Sequence, residues 1–330
     1  MKAFVVTHYG PDGLEAAEVP TPRVGPHDVL VDVRAASINP LDKMVRNGEF
    51  KQLIKYQRPF TLGHDLSGVI AKVGADVRGF KVGDEIYARP RDLRIGAFAE
   101  QVAIDADDIA LKPASLSFEE AAAVPLVALA GWQALVEVAD VQPGQKVLVH
   151  AGAGGLGSTV VQVARHLGAH VATTAHTNDV DRARALGADE VIDYTQQDFT
   201  DLLSGYDVVL DSLGAASLDK SLTVLKPGGL AISVVGPPDP HFATQLGRPL
   251  FKPVMAVLSR KIRRQARKLG VRYSFFFMRA SGNQLATLAA LYDAGTLRPV
   301  LDRSFPFDRT LDAMAYVEQG KAAGKIVVTR

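Results

Sequence analysis

The sequence predicts an α/β protein with two domains: a mostly antiparallel, barrel-like β domain and a doubly wound domain built on a parallel sheet. In the first third of the chain, short β-like runs are broken by Gly and Pro, a spacing typical of small antiparallel barrels. From Gln145 onward, continuous apolar runs alternate with stretches of helical length, as expected of parallel strands buried on both faces. The 330 residues are enough for two domains that each bury a core.

The domain boundaries follow from where these patterns change. Between residues 119 and 138 the apolar residues take a helical period, interrupted by Pro125. We therefore expect a first domain at residues 1–124 and the parallel-sheet domain at 125–272, with 273–330 returning to complete the first domain. The predicted strands are 3–7, 28–36, 67–73, 84–88 and 97–104, then 146–150, 170–175, 190–193, 207–211 and 229–235. The last segment should hold helices at 282–294 and 310–319 and strands near 305 and at 325–329.

The composition excludes several classes of function. Lys+Arg of 37 against Asp+Glu of 36 gives a formal charge of +1, so the overall charge does not favour a nucleic-acid partner. Because Cys is 0, disulfides, thiolate nucleophiles and cysteine-ligated zinc are excluded. The opening MKAFVVTHYG lacks the charged and apolar regions of a signal or transit peptide, and no run approaches the roughly 20 apolar residues of a membrane span. We therefore expect a cytoplasmic protein.

A glycine-rich segment between a predicted strand and a predicted helix indicates a dinucleotide site. In a G-x-G-x-x-G turn the first glycine permits a tight turn, the second lets the backbone approach a pyrophosphate, and the third lets helix and strand pack closely. The amide groups of the helix N-terminus then face the phosphates. The alternative is a glycine-rich turn without a ligand. The candidate residues are Gly152, Gly154, Gly155, Leu156 and Gly157.

The residues after the second strand of the parallel sheet favour NADPH over NADH. An NAD site places Asp or Glu there to hold the ribose 2′-hydroxyl. This segment instead offers hydroxyl, imidazole and guanidinium groups, which can donate hydrogen bonds to a 2′-phosphate, whereas a carboxylate would repel it. Two alternatives stay open: the arginines are solvated helix residues, or Asp179 or Asp181 reaches the ribose. The candidates are Thr174, His176, Thr177 and Arg182.

Short motifs occur in a fixed order along nearly the whole chain. They are SINPLD at 37–42, LGHDLSGV at 62–69, VGD at 82–84, GAFAE at 96–100, LGAD at 186–189, VIDY at 191–194, LKPGG at 225–229 and GKIV at 324–327. The ordered set resembles the zinc-free medium-chain dehydrogenases/reductases of the quinone oxidoreductase family. The segment YSFFFM at 273–278 is similar to the subgroup that contains plant chloroplast-envelope and mitochondrial quinone oxidoreductase homologues.

This resemblance implies a GroES-like β-barrel catalytic domain, a Rossmann domain, a cofactor in the cleft between them, and a homodimer. It places Asn39 beside the nicotinamide ribose, Tyr194 near the adenosine phosphate and Lys325 near the nicotinamide. Packing of Tyr194 and a core role for the Phe run are the structural alternatives. The remaining implied contacts are Asp211, Ser212, Leu213, Val235 and Gly236 along the cofactor, and Phe276 and Phe277 as walls of the substrate cleft.

The chain departs from the zinc-dependent relatives at the positions that would hold metal. Those relatives carry Cys where Asn39 stands, and a four-cysteine lobe where this chain has only residues 89–95. His64 occupies a position that ligates zinc in the relatives, but it has no cysteine partner, so we expect a structural histidine and no metal. Ala130 replaces a Thr that in relatives often touches the cofactor's carboxamide.

Without a Lewis acid, the expected substrate is an electrophile that can delocalise the charge of an incoming hydride. A quinone or an α,β-unsaturated carbonyl does so, whereas an isolated ketone does not. We therefore expect an NADPH-dependent quinone or enone reductase, with a metal-free reductase of activated ketones as the alternative. The candidate catalytic residues are Asn39 and Tyr56. Water is an alternative proton source, and Tyr56 is equally consistent with a surface loop residue.

A basic stretch near the end of the second domain stands apart from the balanced composition. Between His241 and Tyr292 there is no Asp or Glu. A basic amphipathic helix in 250–272 could rest on an anionic membrane surface. A solvated or subunit-contact face and a nucleic-acid patch are the competing interpretations, with nucleic acid the least favoured. The same segment allows a second class of function, a non-catalytic NADPH-binding protein with a basic membrane- or partner-binding surface. Its basic residues are Arg248, Lys252, Arg260, Lys261, Arg263, Arg264, Arg267, Lys268, Arg272 and Arg279.

Overall fold

The computed structural model describes residues 1–320 and 322–330, and the chain forms two compact units. The first unit combines Met1–Leu129 with Arg279–Arg330, and the second is Ala130–Met278. The sequence predicts the two junctions between these units after residues 124 and 272, and the structure divides the chain after Leu129 and Met278.

The N-terminal part of the first unit is built from short strands with few helices. Its elements are β1 (Lys2–Val6), β2 (Leu14–Glu18), β3 (Asp28–Ile38), α1 (Pro40–Asn47), β4 (Phe60–Thr61), β5 (Asp65–Val73), β6 (Glu85–Ala88), β7 (Gln101–Asp105), β8 (Ile109–Leu111), α2 (Phe118–Ala122) and α3 (Pro125–Trp132). Helix α3 continues past Leu129 into the second unit, where a π-helical turn, Gln133–Val138, follows it. Residues Phe4, Val31, Leu66 and Phe98 belong to a common buried core, as the alternating apolar pattern predicts.

The second unit alternates strands and helices. It contains β9 (Lys146–Val149), α4 (Gly157–His166), β10 (His170–Ala175), α5 (Val180–Ala185), β11 (Glu190–Asp193), α6 (Phe199–Leu202), β12 (Tyr206–Asp211), α7 (Ala215–Ser221), β13 (Leu225–Ser233), α8 (Pro240–Gln245), α9 (Lys252–Leu258), α10 (Arg260–Lys268) and β14 (Arg272–Phe275). Its sheet has the order β11-β10-β9-β12-β13-β14, and every pairing in it is parallel. The doubly wound prediction is confirmed.

The C-terminal segment returns to the first unit. It forms α11 (Gly282–Asp293), β15 (Leu301–Pro306), α12 (Thr310–Glu318) and β16 (Lys325–Thr329). Strand β16 pairs antiparallel with β3, so the first unit's larger sheet has the order β15-β16-β3-β5-β6-β8, with β7 also paired to β3. A smaller sheet has the order β2-β1-β4. This mostly antiparallel architecture confirms the predicted GroES-like barrel.

Candidate active site

The glycine-rich turn lies at the carboxyl end of β9, where β9 stops and α4 begins. A Cβ on Gly152 would lie 2.0 Å from the Thr173 Oγ1 atom, and a Cβ on Gly157 would lie 2.2 Å from the Ala151 carbonyl oxygen. Real side chains do not fit at such distances, so both positions require glycine. At Gly154 the nearest contact of an added Cβ is the Ala151 oxygen at 3.3 Å. The turn is therefore packed tightly against the protein at its first and third glycines and is more open at its second.

The first turn of α4 leaves backbone donors unused. Its N-terminal residue Leu156 provides no side-chain cap, and within the described residues the amides of Gly155 and Leu156 donate no hydrogen bond. Unsatisfied amides at a helix N-terminus carry partial positive charge and bind anions such as phosphate. The turn thus offers the donors that a pyrophosphate requires, beside a second glycine where an added Cβ would meet one atom of the described residues within 4 Å, the Ala151 oxygen.

The candidate residues for the 2′-phosphate lie after β10 at one corner of the same edge of the sheet, except Thr174, which lies within β10. His176 and Tyr194 are both exposed, with ring centroids 6.0 Å apart in an edge-to-face arrangement. The Thr177 hydroxyl donates to Asp193 at 2.6 Å, and this hydrogen bond is the main reason that the pKa of Asp193 is lowered. Thr174, by contrast, is buried.

Carboxylates and a guanidinium therefore share this corner. Arg182 forms an ion pair with Asp179 at 2.6 Å. The corner holds the two acidic side chains Asp179 and Asp193 in addition to the predicted donors, and each acid already accepts hydrogen bonds from its neighbours.

The carboxyl ends of β12 and β13 are tied together by a buried carboxylate. Asp211 accepts from the Ser233 hydroxyl at 2.7 Å and from the amide of Gly214 at 3.1 Å. Leu213 and Val235, which follow these strands, are exposed. Ser212 is partly exposed, and a Cβ on Gly236 would lie 2.6 Å from the Tyr273 hydroxyl. Because carboxyl ends of parallel strands meet at one edge, these residues and the glycine-rich turn border the same crevice of the second unit.

The phenylalanines after β14 are buried in the second unit. The Phe277 ring packs against Phe242, with ring centroids 5.4 Å apart, and Phe276 is likewise buried.

In the first unit, Asn39, Asp65 and Lys325 form a buried polar cluster, which we call the Asp65 cluster. The Asn39 amide group donates to the Asp65 carboxylate at 2.9 Å, and the Lys325 ammonium donates to the Asn39 side-chain oxygen at 2.5 Å. The ammonium also lies 3.4 Å from Asp65. Asp65 accepts two further hydrogen bonds, from the Ser37 hydroxyl at 3.0 Å and the Leu126 amide at 2.8 Å.

Burial is the largest influence on the pKa of Lys325. It lowers this pKa, while the neighbouring carboxylates of Asp65 and Asp42 act in the opposite direction. Asp65 was not among the predicted site residues, although it lies in the LGHDLSGV motif. Its four donors come from residues far apart in the sequence, so the motif alone did not reveal its role.

His64 contacts a carboxylate next to the Asp65 cluster. Its Nδ1 atom lies 2.6 Å from Asp42, and its buried Nε2 atom has no hydrogen-bond partner among the described residues. Asp42 also accepts from the Asn39 backbone amide at 2.7 Å, at the start of α1. Within residues 1–320 and 322–330, no group of three or more His, Cys, Asp or Glu side chains could hold a metal ion.

Tyr56 lies in the loop before β4. Its ring stacks on Phe60 at a centroid distance of 4.6 Å, and its hydroxyl oxygen accepts from the Leu93 amide at 3.4 Å. Burial, with a contribution from the Asp92 carboxylate, raises the pKa of Tyr56. The phenol therefore keeps its proton at physiological pH. Ala130, at the start of the second unit, is buried.

The barrel unit and the parallel-sheet unit with its glycine-rich turn define a two-domain, nucleotide-dependent dehydrogenase or reductase. Family models described as "Alcohol dehydrogenase GroES-like domain" and "Zinc-binding dehydrogenase" match residues 25–114 and 186–328.

Individual relatives identify the family more closely. The 2-methylene-furan-3-one reductase of Solanum lycopersicum is 35% identical over 99% of this chain and 79% of its own length. The NADPH-dependent alkenal/one oxidoreductase of Arabidopsis thaliana is 34% identical with the same coverage. The solved structure of the quinone oxidoreductase from Coxiella burnetii is 30% identical, has a TM-score of 0.87, and covers 100% of this chain and 99% of that one. The chain belongs to the quinone oxidoreductase family of the medium-chain dehydrogenases/reductases, whose members are NAD(P)H-dependent oxidoreductases.

Proposed function

We propose that the protein is an NADPH-dependent reductase that transfers hydride to a quinone or to the β-carbon of an α,β-unsaturated carbonyl without a metal. The observation that carries this proposal is the Asp65 cluster. Asn39 and Lys325 meet there where zinc-dependent relatives place a ligand, and no set of metal ligands surrounds them in the described residues. Relatives with matching chemistry, an alkenal/one oxidoreductase and a 2-methylene-furan-3-one reductase, support the choice of substrate class.

The glycine-rich turn would hold the cofactor's pyrophosphate. The free amides of Gly155 and Leu156 and the open approach at Gly154 fit a phosphate group. When bound, the dihydronicotinamide supplies the hydride. The chain's own contribution is then to hold the dinucleotide at this turn and to offer donors to the substrate oxygen, where charge accumulates.

NADPH is proposed over NADH because the acids near the adenosine ribose already have partners. Asp179 is paired with Arg182, and Asp193 accepts from Thr177. A 2′-phosphate could take the guanidinium from Asp179 and contact the exposed His176, whereas a ribose hydroxyl would compete with those partners. Arg182→Ala should therefore raise the KM for NADPH several-fold with little effect on NADH. An equal effect on both cofactors would contradict the proposal.

Tyr56 is the proposed proton donor to the reduced substrate. Among the described residues the phenol accepts one long hydrogen bond, from the Leu93 amide, and donates none, so its proton is free for transfer; burial, which raises the pKa of Tyr56, opposes this transfer. In this assignment the Tyr56→Phe variant retains cofactor binding and loses turnover, whereas a water donor would leave turnover close to the wild-type value.

The substrate class can be tested with matched acceptors. The purified protein, after dialysis against a chelator, is assayed by NADPH oxidation at 340 nm with a long-chain enone and with its saturated ketone, and in parallel with a benzoquinone. Turnover of the conjugated compounds alone supports the proposal. Equal turnover of the saturated ketone favours the activated-ketone alternative, and tight NADPH binding without any turnover favours a binding protein.

A homodimer is proposed on family grounds, and one feature of the second unit supports the pairing. Strand β14 ends the parallel sheet, paired with β13 on one side. A cavity of about 430 Å³ beside this edge is lined in part by Arg263, Arg267 and Arg272. Two copies joined here would bring these cations together, so light scattering should show a dimer that strengthens with added salt. A monomer at all salt concentrations would contradict the pairing.

Peripheral contact with an anionic membrane is proposed for segment 250–272. The side chains of Leu250 and Val257 are 91% and 72% exposed, and Arg260, Arg264 and Lys268 are exposed in the following helix. An apolar surface that is contiguous in sequence with exposed cations fits anionic lipid headgroups by charge and by insertion. Among the helices that the structure describes, none is long and apolar enough to cross a membrane.

Vesicle sedimentation tests this surface. Binding to phosphatidylcholine vesicles that contain phosphatidylserine, lost in Arg264→Glu/Lys268→Glu and weakened by salt, is the expected result. Leu250→Ser should weaken binding without changing its salt dependence. Absence of sedimentation, or preferential binding of a labelled RNA or DNA, would contradict the proposal.

A further inference from the structure

We propose that His150 is a positioning residue that sets the geometry of the dinucleotide turn through a one-directional chain of hydrogen bonds; the proposal rests on the dinucleotide site inferred above. His150 lies between the end of β9 and the turn, and its side chain is completely buried. Both ring nitrogens are engaged: Nδ1 lies 3.2 Å from the Thr174 hydroxyl oxygen, and Nε2 lies 2.8 Å from the Ser221 hydroxyl oxygen.

The direction of these hydrogen bonds follows from their outer partners. The Ser221 hydroxyl donates its single proton to the Ser217 carbonyl at 2.7 Å, so toward His150 it can only accept. The Nε2 atom must therefore carry the imidazole proton. In a neutral ring Nδ1 is then an acceptor, and the Thr174 hydroxyl donates to it. Burial keeps the ring neutral because it lowers the pKa of His150 to about 4, in spite of the nearby Asp211 carboxylate.

Thr174 transmits this orientation to the turn. Its hydroxyl oxygen accepts from the Ala151 amide at 3.1 Å, and its carbonyl accepts from the Gly152 amide at 3.1 Å. The chain of donors thus runs from Ala151 through Thr174 and His150 to Ser221, and each group donates once. The edge of the imidazole also contacts Phe199, with ring centroids 4.8 Å apart, which leaves the ring little freedom to rotate.

Ala151 is the residue whose conformation most needs this support. Its φ is +53°, in the left-handed region that non-glycine residues rarely adopt. Its carbonyl oxygen accepts from the Gly154 amide at 2.9 Å and lies against Gly157. The Ala151 peptide planes therefore fix the path of the turn toward the free amides of Gly155 and Leu156. Through Thr174, His150 holds the first of those planes.

Two substitutions test the hydrogen bonds of the two ring nitrogens separately. His150→Asn can place its amide oxygen near the position of Nδ1, which preserves the acceptor for Thr174. His150→Gln reaches the position of Nε2 and preserves only the contact with Ser221. The dissociation constant of NADPH, measured by calorimetry, should rise about tenfold in His150→Gln and His150→Phe, the effect of one lost hydrogen bond, and by less than about threefold in His150→Asn.

A second ligand distinguishes positioning from general damage. Adenosine 2′-monophosphate lacks the pyrophosphate, so its affinity should be unchanged in all three variants. The Ser259→Ala variant is the matched control, because Ser259 is a buried hydroxyl of the same unit that donates to the Met255 carbonyl at 2.7 Å and forms none of the hydrogen bonds of the chain of donors. It should bind NADPH as the wild type does. Thr174→Val should reproduce the loss seen in His150→Phe, and the double variant should show no further loss.

A measurement on the wild-type protein keeps the proposal testable if variants fail to fold. The ¹⁵N shifts of the His150 ring should show the Nε2-protonated tautomer, and the Nδ1-protonated form would overturn the proposal. Wild-type NADPH affinity in His150→Phe and His150→Gln, or an equal loss for adenosine 2′-monophosphate, would also overturn it. If the wild-type protein binds no dinucleotide, the proposed function fails as well, and the tautomer then tests only the hydrogen-bond chain.

Discussion

The Asp65 cluster allows the most detailed prediction, the loss of stability in Lys325→Met. Methionine keeps most of the apolar volume of lysine but removes the ammonium that donates to Asn39 at 2.5 Å and lies 3.4 Å from Asp65. Asp65 would remain a buried carboxylate with three donors, from Ser37, Asn39 and Leu126. Removing one partner of a buried ion pair costs roughly 3–5 kcal/mol, and the three remaining donors place the expected loss near 3 kcal/mol.

Urea unfolding at pH 7, with hydrogen exchange of first-unit peptides to assign the transition, measures this loss. Lys112→Met is the matched control: the Lys112 side chain is also largely buried, but its acidic partner Glu85 is half exposed and can be solvated when the ammonium is removed. The control should lose about 1 kcal/mol. A loss below about 0.5 kcal/mol in Lys325→Met, or an equal loss in the control, would refute the assignment of the Asp65 cluster as an interdependent buried ion pair.

Three other predictions concern the turn and the proton donor. Gly157→Ala should destabilise the ligand-free protein, because its Cβ would meet the Ala151 oxygen at 2.2 Å. Gly154→Ala should leave the stability nearly unchanged and weaken NADPH binding. Thermal unfolding measures the first effect and calorimetry the second. Burial lowers the folded-state pKa of His150 to about 4, below its unfolded value near 6.5. The contribution of His150 to the free energy of unfolding is therefore complete above pH 6.5 and is lost as the pH falls toward 4, by up to about 3 kcal/mol. Urea unfolding at several pH values should show this dependence in the wild type and not in His150→Phe. Tyr56→Phe should lower kcat about tenfold or more with an unchanged KM for NADPH, and unchanged kcat would indicate water as the donor.

Local patterns predicted the parts of the fold that depend on local sequence. The strand β9, the glycine-rich turn and α4 were found because turn, strand and helix signals occur in succession there. Strand β14 was not predicted as a strand. Its four residues are too few for a period, and their extended conformation depends on parallel pairing with β13.

The candidate site residues also divide into those that local sequence predicts and those that depend on distant contacts. Gly152 and Gly157 could be predicted because their steric requirement is imposed by immediate neighbours and by one adjacent strand. Asn39 and Lys325 were predicted from the family resemblance, but the hydrogen bonds that join them to each other and to Asp65, and the partners of His150, could not be predicted, because they link residues separated by 24 to 286 positions. Thr174 illustrates the limit: its place near the end of the second strand suggested a contact with the 2′-phosphate, but it lies within β10 and its hydroxyl is buried and bonded to Ala151 and His150.

The route of the hydride is the most direct test of the proposed function. NADPH that carries deuterium at both hydrogen positions of C4 of the dihydronicotinamide is mixed with the protein and an enone, and the product is examined by NMR and mass spectrometry. Direct 1,4-reduction predicts a saturated ketone that carries one deuterium at the former β-carbon, with the proton at the α-carbon taken from the protein or solvent. Deuterium at the carbonyl carbon of an allylic alcohol would show carbonyl reduction instead, and a product without deuterium would contradict direct hydride transfer.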